Sequence, residues 1–421
     1  MRTMRLLYLT PGLFPARRVD VGLLFGDGLP RHGVYSDIVA FRKPGAQEQE
    51  EAWGGGEAIL AVPPRRLKHL AVFMHMFKAL AQSRRDRHDG VQVRDMPFIA
   101  LMALIFARLK GMPFLYWCSY PYPEGQIDRA RRATGLKKLA SLPLLLRGLL
   151  GRFVLYRLVL SRADHIFVQS ERMKRDMADR GAPAERMTSV PMGVDLERMQ
   201  ASVTAFDADA TDDVSVDKRM RGRRALIYLG SLDYVRNIET LFEMASLLRW
   251  RLPNIVLLIV GDTHDQQHKA WLQERARQLG VDDILIWTGW LPIQEAWRYI
   301  RQAEVGLSPI PRGELLDCSS PTKLIEYMAL GVPVVCNDNP DQQMVIEQSG
   351  AGLCVPYTAE DFANAAETLL KEAPETRRQR MENAIRYLRT HRDYPVIARK
   401  LAGTYFTIHE KACHEALKQG S

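Results

Sequence analysis

The sequence predicts an α/β protein built from two Rossmann-like, doubly wound domains that face a central cleft. Three observations carry that prediction. A chain of 421 residues is too long for one ordinary hydrophobic core and suggests two domains of similar length. Apolar runs of strand length alternate with helix-length amphipathic stretches through most of the chain, the pattern of parallel sheets covered by helices. Between the two halves, residues 200–223 (QASVTAFDADATDDVSVDKRMRGR) are polar and poor in large apolar side chains, and they read as a flexible linker.

Within residues 1–199, strands are expected at RLLYLT, SDIVAF, PFLYWC and HIFVQS, with helices such as IALMALIFARLKG between them. Within residues 224–395 the expected strands are RALIYLG, IVLLIVG, ILIWTG, VGLSPI, VPVVCN and GLCV. The helices between them are ETLFEMASLLRWRL, HKAWLQERARQLG, IQEAWRYIRQA, PTKLIEYMALG and AEDFANAAETLLKEA. Residues 396–421 are expected to form a helix packing back on the first domain. Domains wound in this way bind ligands outside the carboxyl ends of their strands.

Composition excludes several classes. Hydrophobic residues make up 47% and charged residues 25%, which argues against extensive disorder. The opening MRTMRLLYLTPGLFP has an apolar run too short for a signal peptide or a membrane span, and reads as a first buried strand. Five cysteines are odd in number and form no CxxC pair, which excludes a disulfide framework and fits a reducing cytoplasm. No HExxH occurs, and the one DxD-like pair, Asp207 and Asp209, lies in the linker, where solvated charge explains it; no metal and no cofactor are expected. No nucleic-acid motif is present, so nucleic acid is not an expected partner.

The formal charge is +9, and its distribution says more than its total. Between Arg129 and Arg162 lie nine Lys or Arg and no Asp or Glu, interleaved with LASLPLLL, GLLG, FVLY and LVL. Two readings stay open: docking on an anionic membrane surface, or an ordinary packed helix with snorkelling arginines, since Arg147, Arg152, Arg157 and Arg162 recur every five residues and leave no clean polar face. The stretch PPRRLKHLAVFMHMFKAL at 63–80 has the same character. No uncharged apolar run approaches the roughly 20 residues of a membrane span.

The segment CSSPTKLIEYMALG carries the chemistry. Ser319 or Ser320 is expected to cap a helix with Pro321 at its first position. The free amides and positive dipole end of such a helix suit a diphosphate. Thr322 and Glu326 share a face, which sets a carboxylate one turn below the amides, where it can accept hydrogen bonds from ribose hydroxyls. Helix capping alone would also explain the stretch. Other turns converge on the same strand ends: Gly230 and Ser231 with Arg236 just beyond, Gly261 and Asp262, and Gly289 with Trp290. One glycine after a strand is merely a tight turn, but three beside a cationic helix start point to an anion site.

On these residues, and on RLLYLTPGLFP, ARLKGMPFLYWCS, SRADHIFVQSERMKRDMADRGAPAERMTSVPMGVDLERM and GAGLCV, the chain resembles a retaining glycosyltransferase of the GT-B fold, family four. The resemblance implies that Glu326 is the second glutamate of the family's E-x7-E motif and contacts the donor ribose. It implies that amides from Pro321 to Lys323 hold the diphosphate, that Arg236 and Lys323 neutralise it, and that Gly289-Trp290-Leu291 meets the nucleobase. Gly22 matches a loop facing the diphosphate from the other domain. Three positions depart from the family: Cys318, a largely neutral thiol, stands where the first glutamate belongs; Ser231 where an arginine is common; and Ser119 where many members place a histidine near the transferred sugar. Asp317 or Glu314 could supply the missing carboxylate, and Asp317 is preferred because it needs only one residue of loop adjustment.

The expected function is transfer of a sugar from a UDP- or GDP-sugar to a saccharide or lipid-linked acceptor, in bacterial-type polysaccharide or glycolipid synthesis. The expected location is the cytoplasm, with peripheral attachment to the inner face of the membrane. A nucleotide-sugar epimerase of similar fold and a non-catalytic nucleotide-sugar-binding scaffold are the alternatives.

Overall fold

Runs rich in β-branched and aromatic residues become the strands of two parallel sheets in a computed structural model that describes residues 3–15, 18–42, 53–62, 68–209 and 217–419. The chain divides into a first unit, Met1–Pro191 with Tyr394–Ser421, and a second, Met192–Asp393.

In the first unit the strands are β1 (Met4–Phe14), β2 (Val34–Arg42), β3 (Ala58–Ala61), β4 (Gly90–Arg94), β5 (Phe114–Cys118), β6 (His165–Val168) and β7 (Met187–Ser189), in the order β3-β2-β1-β4-β5-β6-β7. Both faces of this sheet are covered, so its central strands read as nearly continuous apolar sequence; Leu6, Leu7, Tyr8 and Leu9 have no exposed surface. Strands β3, β4 and β7 were not among those expected, because AILA, GVQVR and MTS are too short or too polar to show a period. The helix Tyr394–Gln419 belongs to this unit: Ile397, Ala398, Leu401 and Tyr405 pack in one core with Leu6 and Tyr8, and the Tyr405 hydroxyl donates to Gln92 Oε1 at 2.6 Å.

Residues Lys138–Arg162 form a helical stretch of 25 residues whose most apolar window has mean hydropathy 1.4. Its length and composition would suffice to cross a membrane, although no uncharged run was expected to reach that length, because Arg147, Arg152 and Arg157 are spaced too thinly to pull the average down. One side packs on the unit: a Cβ at Gly148 would lie 2.8 Å from Ile127 of the helix Tyr122–Arg132. Only 28% of its most apolar window is buried.

The second unit contains β8 (Arg224–Leu229), β9 (Ile255–Val260), β10 (Leu285–Gly289), β11 (Val305–Ser308), β12 (Val334–Asn337) and β13 (Gly352–Val355), ordered β10-β9-β8-β11-β12-β13. All six fall in the apolar runs expected to form strands. The order reverses between β8 and β11, so the loops leaving these neighbours diverge and open a crevice at their carboxyl ends.

The expected flexible linker is corrected. A helix, Leu196–Asp209, runs through its first half because Leu196 and Met199 bury against the second unit's core together with Met220. The passage between units accordingly lies at Pro191 and Met192, and the return at Asp393 and Tyr394. Residues 210–216 of that stretch, residues 63–67 of the other basic stretch, and the side chains of Asp207 and Asp209 lie outside the described residues.

Candidate functional site

Three glycine turns at neighbouring strand ends of the second unit are laced together by their backbones. Gly230 N–H donates to Val260 O at 2.9 Å, Leu232 N–H to Asp262 O at 3.0 Å, and Gly261 N–H to Gly289 O at 3.1 Å. Gly261 has φ +130°, and a Cβ there would lie 2.1 Å from Gly230 O, so only glycine fits. The close approach leaves a shallow, backbone-lined floor at the ends of β8, β9 and β10.

Onto this floor the helix Thr322–Ala329 brings Lys323 and Glu326. The Lys323 ammonium sits 4.4 Å from the centre of the Tyr228 ring, whose hydroxyl donates to Ser231 O at 2.9 Å. Burial, reinforced by the charge of Arg236 and opposed by Glu326, lowers the Lys323 pKa to about 7. Burial raises Glu326 to about 7 against the pull of Lys323. Both side chains stay partly accessible although protein surrounds them closely. Both shifts are driven first by burial, which disfavours the charged form of each group. Arg236 ends the short turn Tyr234–Arg236, whose exit is Asn237 with φ +47°, and Tyr357 donates to the Asn237 carbonyl at 2.8 Å. The structure thus brings Arg236, Lys323, Glu326, Gly230 and Ser231 together.

The expected cap is corrected. Pro321 is itself the N-cap, with no side-chain hydrogen bond to the helix amides. Ser319 donates to Leu316 O, while the Ser320 hydroxyl donates to Asp341 Oδ2 at 2.8 Å and accepts from Met192 N–H and Arg392 Nη1, each at 3.0 Å. Arg392 completes the network with Asp341 Oδ1 at 2.7 Å, and all three side chains are buried. Ser320 is claimed from the protein side, and among the described residues no side chain caps the first-turn amides beside Thr322.

Asp317, the preferred substitute for the missing glutamate, is also corrected. Its carboxylate is buried in a bidentate pair with Arg312, at 2.9 and 3.1 Å. Cys318 is buried too, and its thiol donates to Glu314 O at 3.2 Å, while Glu314 is exposed. The loop between β11 and the helix therefore buries the Asp317 carboxylate and the Cys318 thiol while leaving Glu314 at the surface.

At the outer strand ends, Asp262 is ion-paired with Lys269 at 2.7 Å, and despite the opposing effect of burial that lysine and the Thr263 amide hold its pKa low. Trp290 is exposed, with its ring 5.8 Å from that of His264, and Leu291 packs on the core. This is an aromatic surface rather than a charged one.

The two remaining expected positions lie in the first unit. Gly22 sits in the helical segment Asp20–Gly28 with open space where a side chain would be. Ser119 is buried, its amide donating to Asp95 Oδ1 at 2.7 Å and its hydroxyl to Oδ2. Asp95 adopts φ +58°, unusual for a side-chain-bearing residue, and next to it the buried Arg94 pairs with Asp20 at 2.6 Å. Sequence reasoning missed Asp20, Arg94, Asp95, Tyr228, Asp341 and Arg392. The charged pair closing the apolar run GVQVRD was the one visible signal.

Two family models match the chain in tandem: Glycosyltransferase Family 4 over residues 23–198, and Glycosyl transferases group 1 over residues 213–387. No curated protein matches the sequence. Among solved structures, Anabaena HepE in complex with UDP shares the fold at 15% identity, over 96% of this chain and 100% of that one, with TM-score 0.66. Sucrose-phosphate synthase from Thermosynechococcus elongatus does so at 16% identity, over 97% and 100%, with TM-score 0.68. The alpha,alpha-trehalose 6-phosphate synthase of Burkholderia multivorans does so at 14% identity, over 99% of each chain, with TM-score 0.68.

Proposed function

The chain belongs to the family-four glycosyltransferases of the GT-B fold, and from that premise we propose that it is a retaining enzyme moving a sugar from a UDP- or GDP-sugar to a saccharide or lipid-linked acceptor. One observation carries the reading: two cations, Lys323 and Arg236, a carboxylate, Glu326, and an uncapped helix start meet on a glycine-lined floor. As the sugar–phosphate bond breaks, negative charge builds on the departing diphosphate. Fixed positive groups that meet this charge stabilise the transition state more than the ground state. In this reading Arg236, protonated Lys323 and the amides of Thr322 and Lys323 do so without a metal. Ionised Glu326, one turn below, accepts hydrogen bonds from ribose hydroxyls, and the Trp290 end of β10 lies against the base. The complex of Anabaena HepE with UDP supports a nucleoside diphosphate as the common element.

The reading places the enzyme in the cytoplasm on an anionic membrane face, in polysaccharide or glycolipid synthesis. The exposed, basic and apolar stretch Lys138–Arg162 supports that location. Three arginines within a span would each cost about 2.5–3.5 kcal/mol at the bilayer centre, which favours lying on the surface over crossing it.

A screen of UDP- and GDP-sugars for thermal stabilisation and slow hydrolysis tests the reading. At least one should stabilise the wild type, and Arg236→Ala and Lys323→Ala should lose most of that shift. No stabilisation by any of them at millimolar concentration would overturn it.

A further inference from the structure

In the first unit, the helices Lys68–Gln82, Pro97–Leu109, Tyr122–Arg132 and Leu142–Phe153 enclose a cavity of about 580 Å³, the size of a small-molecule site. Its lining is overwhelmingly hydrocarbon, with Val72, Phe73, Met96, Phe98 and Ile99 prominent, and only two charged residues reach it, Asp95 and Arg147. Sugar hydroxyls would find few partners on such walls, and unmatched polar groups there are costly.

The apolar surface does not stop at the mouth. Phe73 and Phe98 line the cavity yet are about two-fifths exposed, at 43% and 40%. Phe77 links their two helices by stacking near Phe73, centroids 6.4 Å apart, and edge-on to Phe106 at 5.4 Å. On the fourth helix Leu146, Leu150 and Phe153 are more than half exposed. A contiguous patch of this kind marks a binding surface. Its charge is one-sided. Arg147, Arg152, Arg157 and Arg162 are all exposed, and no carboxylate lies between Arg129 and Arg162. Arg147 belongs both to this series and to the cavity wall.

An apolar chamber with an arginine in its wall, beside an exposed helix that is apolar and basic, fits a hydrocarbon chain that carries an anionic head. We infer that the chamber holds the chain of a lipid acceptor, with its anionic head group at Arg147. The inference rests on the transferase reading and narrows its acceptor from a saccharide or lipid-linked molecule to a lipid. The chamber's polar end is Asp95, at the carboxyl end of β4, where α/β domains present their ligands.

The test uses the full chain and dodecyl phosphate below its micelle-forming concentration, titrated calorimetrically beside inorganic phosphate. The wild type should bind dodecyl phosphate and not inorganic phosphate. Gly151→Leu, which projects a side chain from the cavity wall where a Cβ meets only ordinary contacts (3.7 Å to Pro123), should weaken binding at least about tenfold, the effect of displacing about two methylene groups. Phe98→Asp, at an exposed position that does not threaten the fold, should do the same, and Arg147→Glu should weaken dodecyl phosphate binding while leaving stabilisation by nucleotide sugars intact. No binding by the wild type, equal binding by Gly151→Leu and Phe98→Asp, or equal affinity for inorganic phosphate would each overturn the inference. Failure of the transferase reading is distinguishable, because it shows as loss of nucleotide-sugar stabilisation in the wild type, measured at residues of the second unit.

Discussion

The protonation of Lys323 offers the sharpest check on the site. In the empty protein its pKa is about 7, because burial and Arg236 outweigh Glu326. A bound anion restores the balance toward the charged form, so binding takes up a proton whenever the pH lies above that value. Linkage sets the sign: affinity for an anion is flat well below pH 7 and falls with rising pH above it. Between about pH 6 and about pH 8 the loss is about tenfold, or ~1.4 kcal/mol. Glu326, also near 7, acts in the opposite sense on any ligand that needs its carboxylate, since ionisation improves the contact with ribose hydroxyls. The two are separated by choice of ligand. Sulfate carries constant charge over this range and is repelled by ionised Glu326, so both groups lower its affinity as the pH rises, whereas a nucleotide sugar gains from the ionised carboxylate and should show a shallower slope. Calorimetric titrations at constant ionic strength measure each, and Lys323→Met should reduce the sulfate slope to the part that Glu326 contributes. A sulfate affinity that stays constant or rises with pH in the wild type, or a slope undiminished in Lys323→Met, would refute the assignment. The same variant carries a stability signature. A lysine whose folded pKa lies below its ordinary value of 10.5 destabilises the fold fully below about pH 7, and that cost disappears as the pH rises through the interval. Lys323→Met should therefore raise the urea midpoint at pH 6 and lose the advantage toward pH 10.

Other positions should respond according to their packing. Gly261→Ala forces a Cβ within 2.1 Å of Gly230 O at a positive φ and should cost about 3 kcal/mol or more in urea unfolding; an unchanged midpoint would show that the turns are not held together as described. Arg392→Met leaves Asp341 charged and unpaired in the interior, so a loss of about 3–5 kcal/mol is expected, with partial recovery in the double variant Arg392→Met/Asp341→Leu. Cys318→Ala removes a buried thiol and one weak hydrogen bond, so stability should fall by about 1 kcal/mol while the donor KM stays within about twofold; a tenfold rise in a folded variant would place the thiol against the donor.

What was legible in the sequence was what is local. The six strands of the second unit are short, mostly apolar runs, five of them ending in or directly followed by glycine or proline, so burial on both faces declares them without reference to partners. Lys323 and Glu326 share one helix, and the glycines at 230, 261 and 289 each close a strand, so their meeting follows from the topology of a parallel sheet. What escaped were side chains whose role depends on distant residues. Ser320 looks like a helix cap, but Arg392 lies 72 residues away from it in sequence and takes its hydroxyl. Asp317 looks available, but five residues earlier Arg312 encloses it. These two misreadings have a common consequence. With Ser320 pinned from behind, the helix amides keep their position whatever stands at 318, so a thiol there leaves the start of the helix undisturbed. With Asp317 committed to Arg312, Glu314 is the candidate carboxylate of the loop that stays exposed. The exchange at 318 should therefore alter which hydroxyl pattern on the donor sugar is accepted, through loss of an acceptor, and leave nucleotide affinity to Lys323, Arg236 and Glu326.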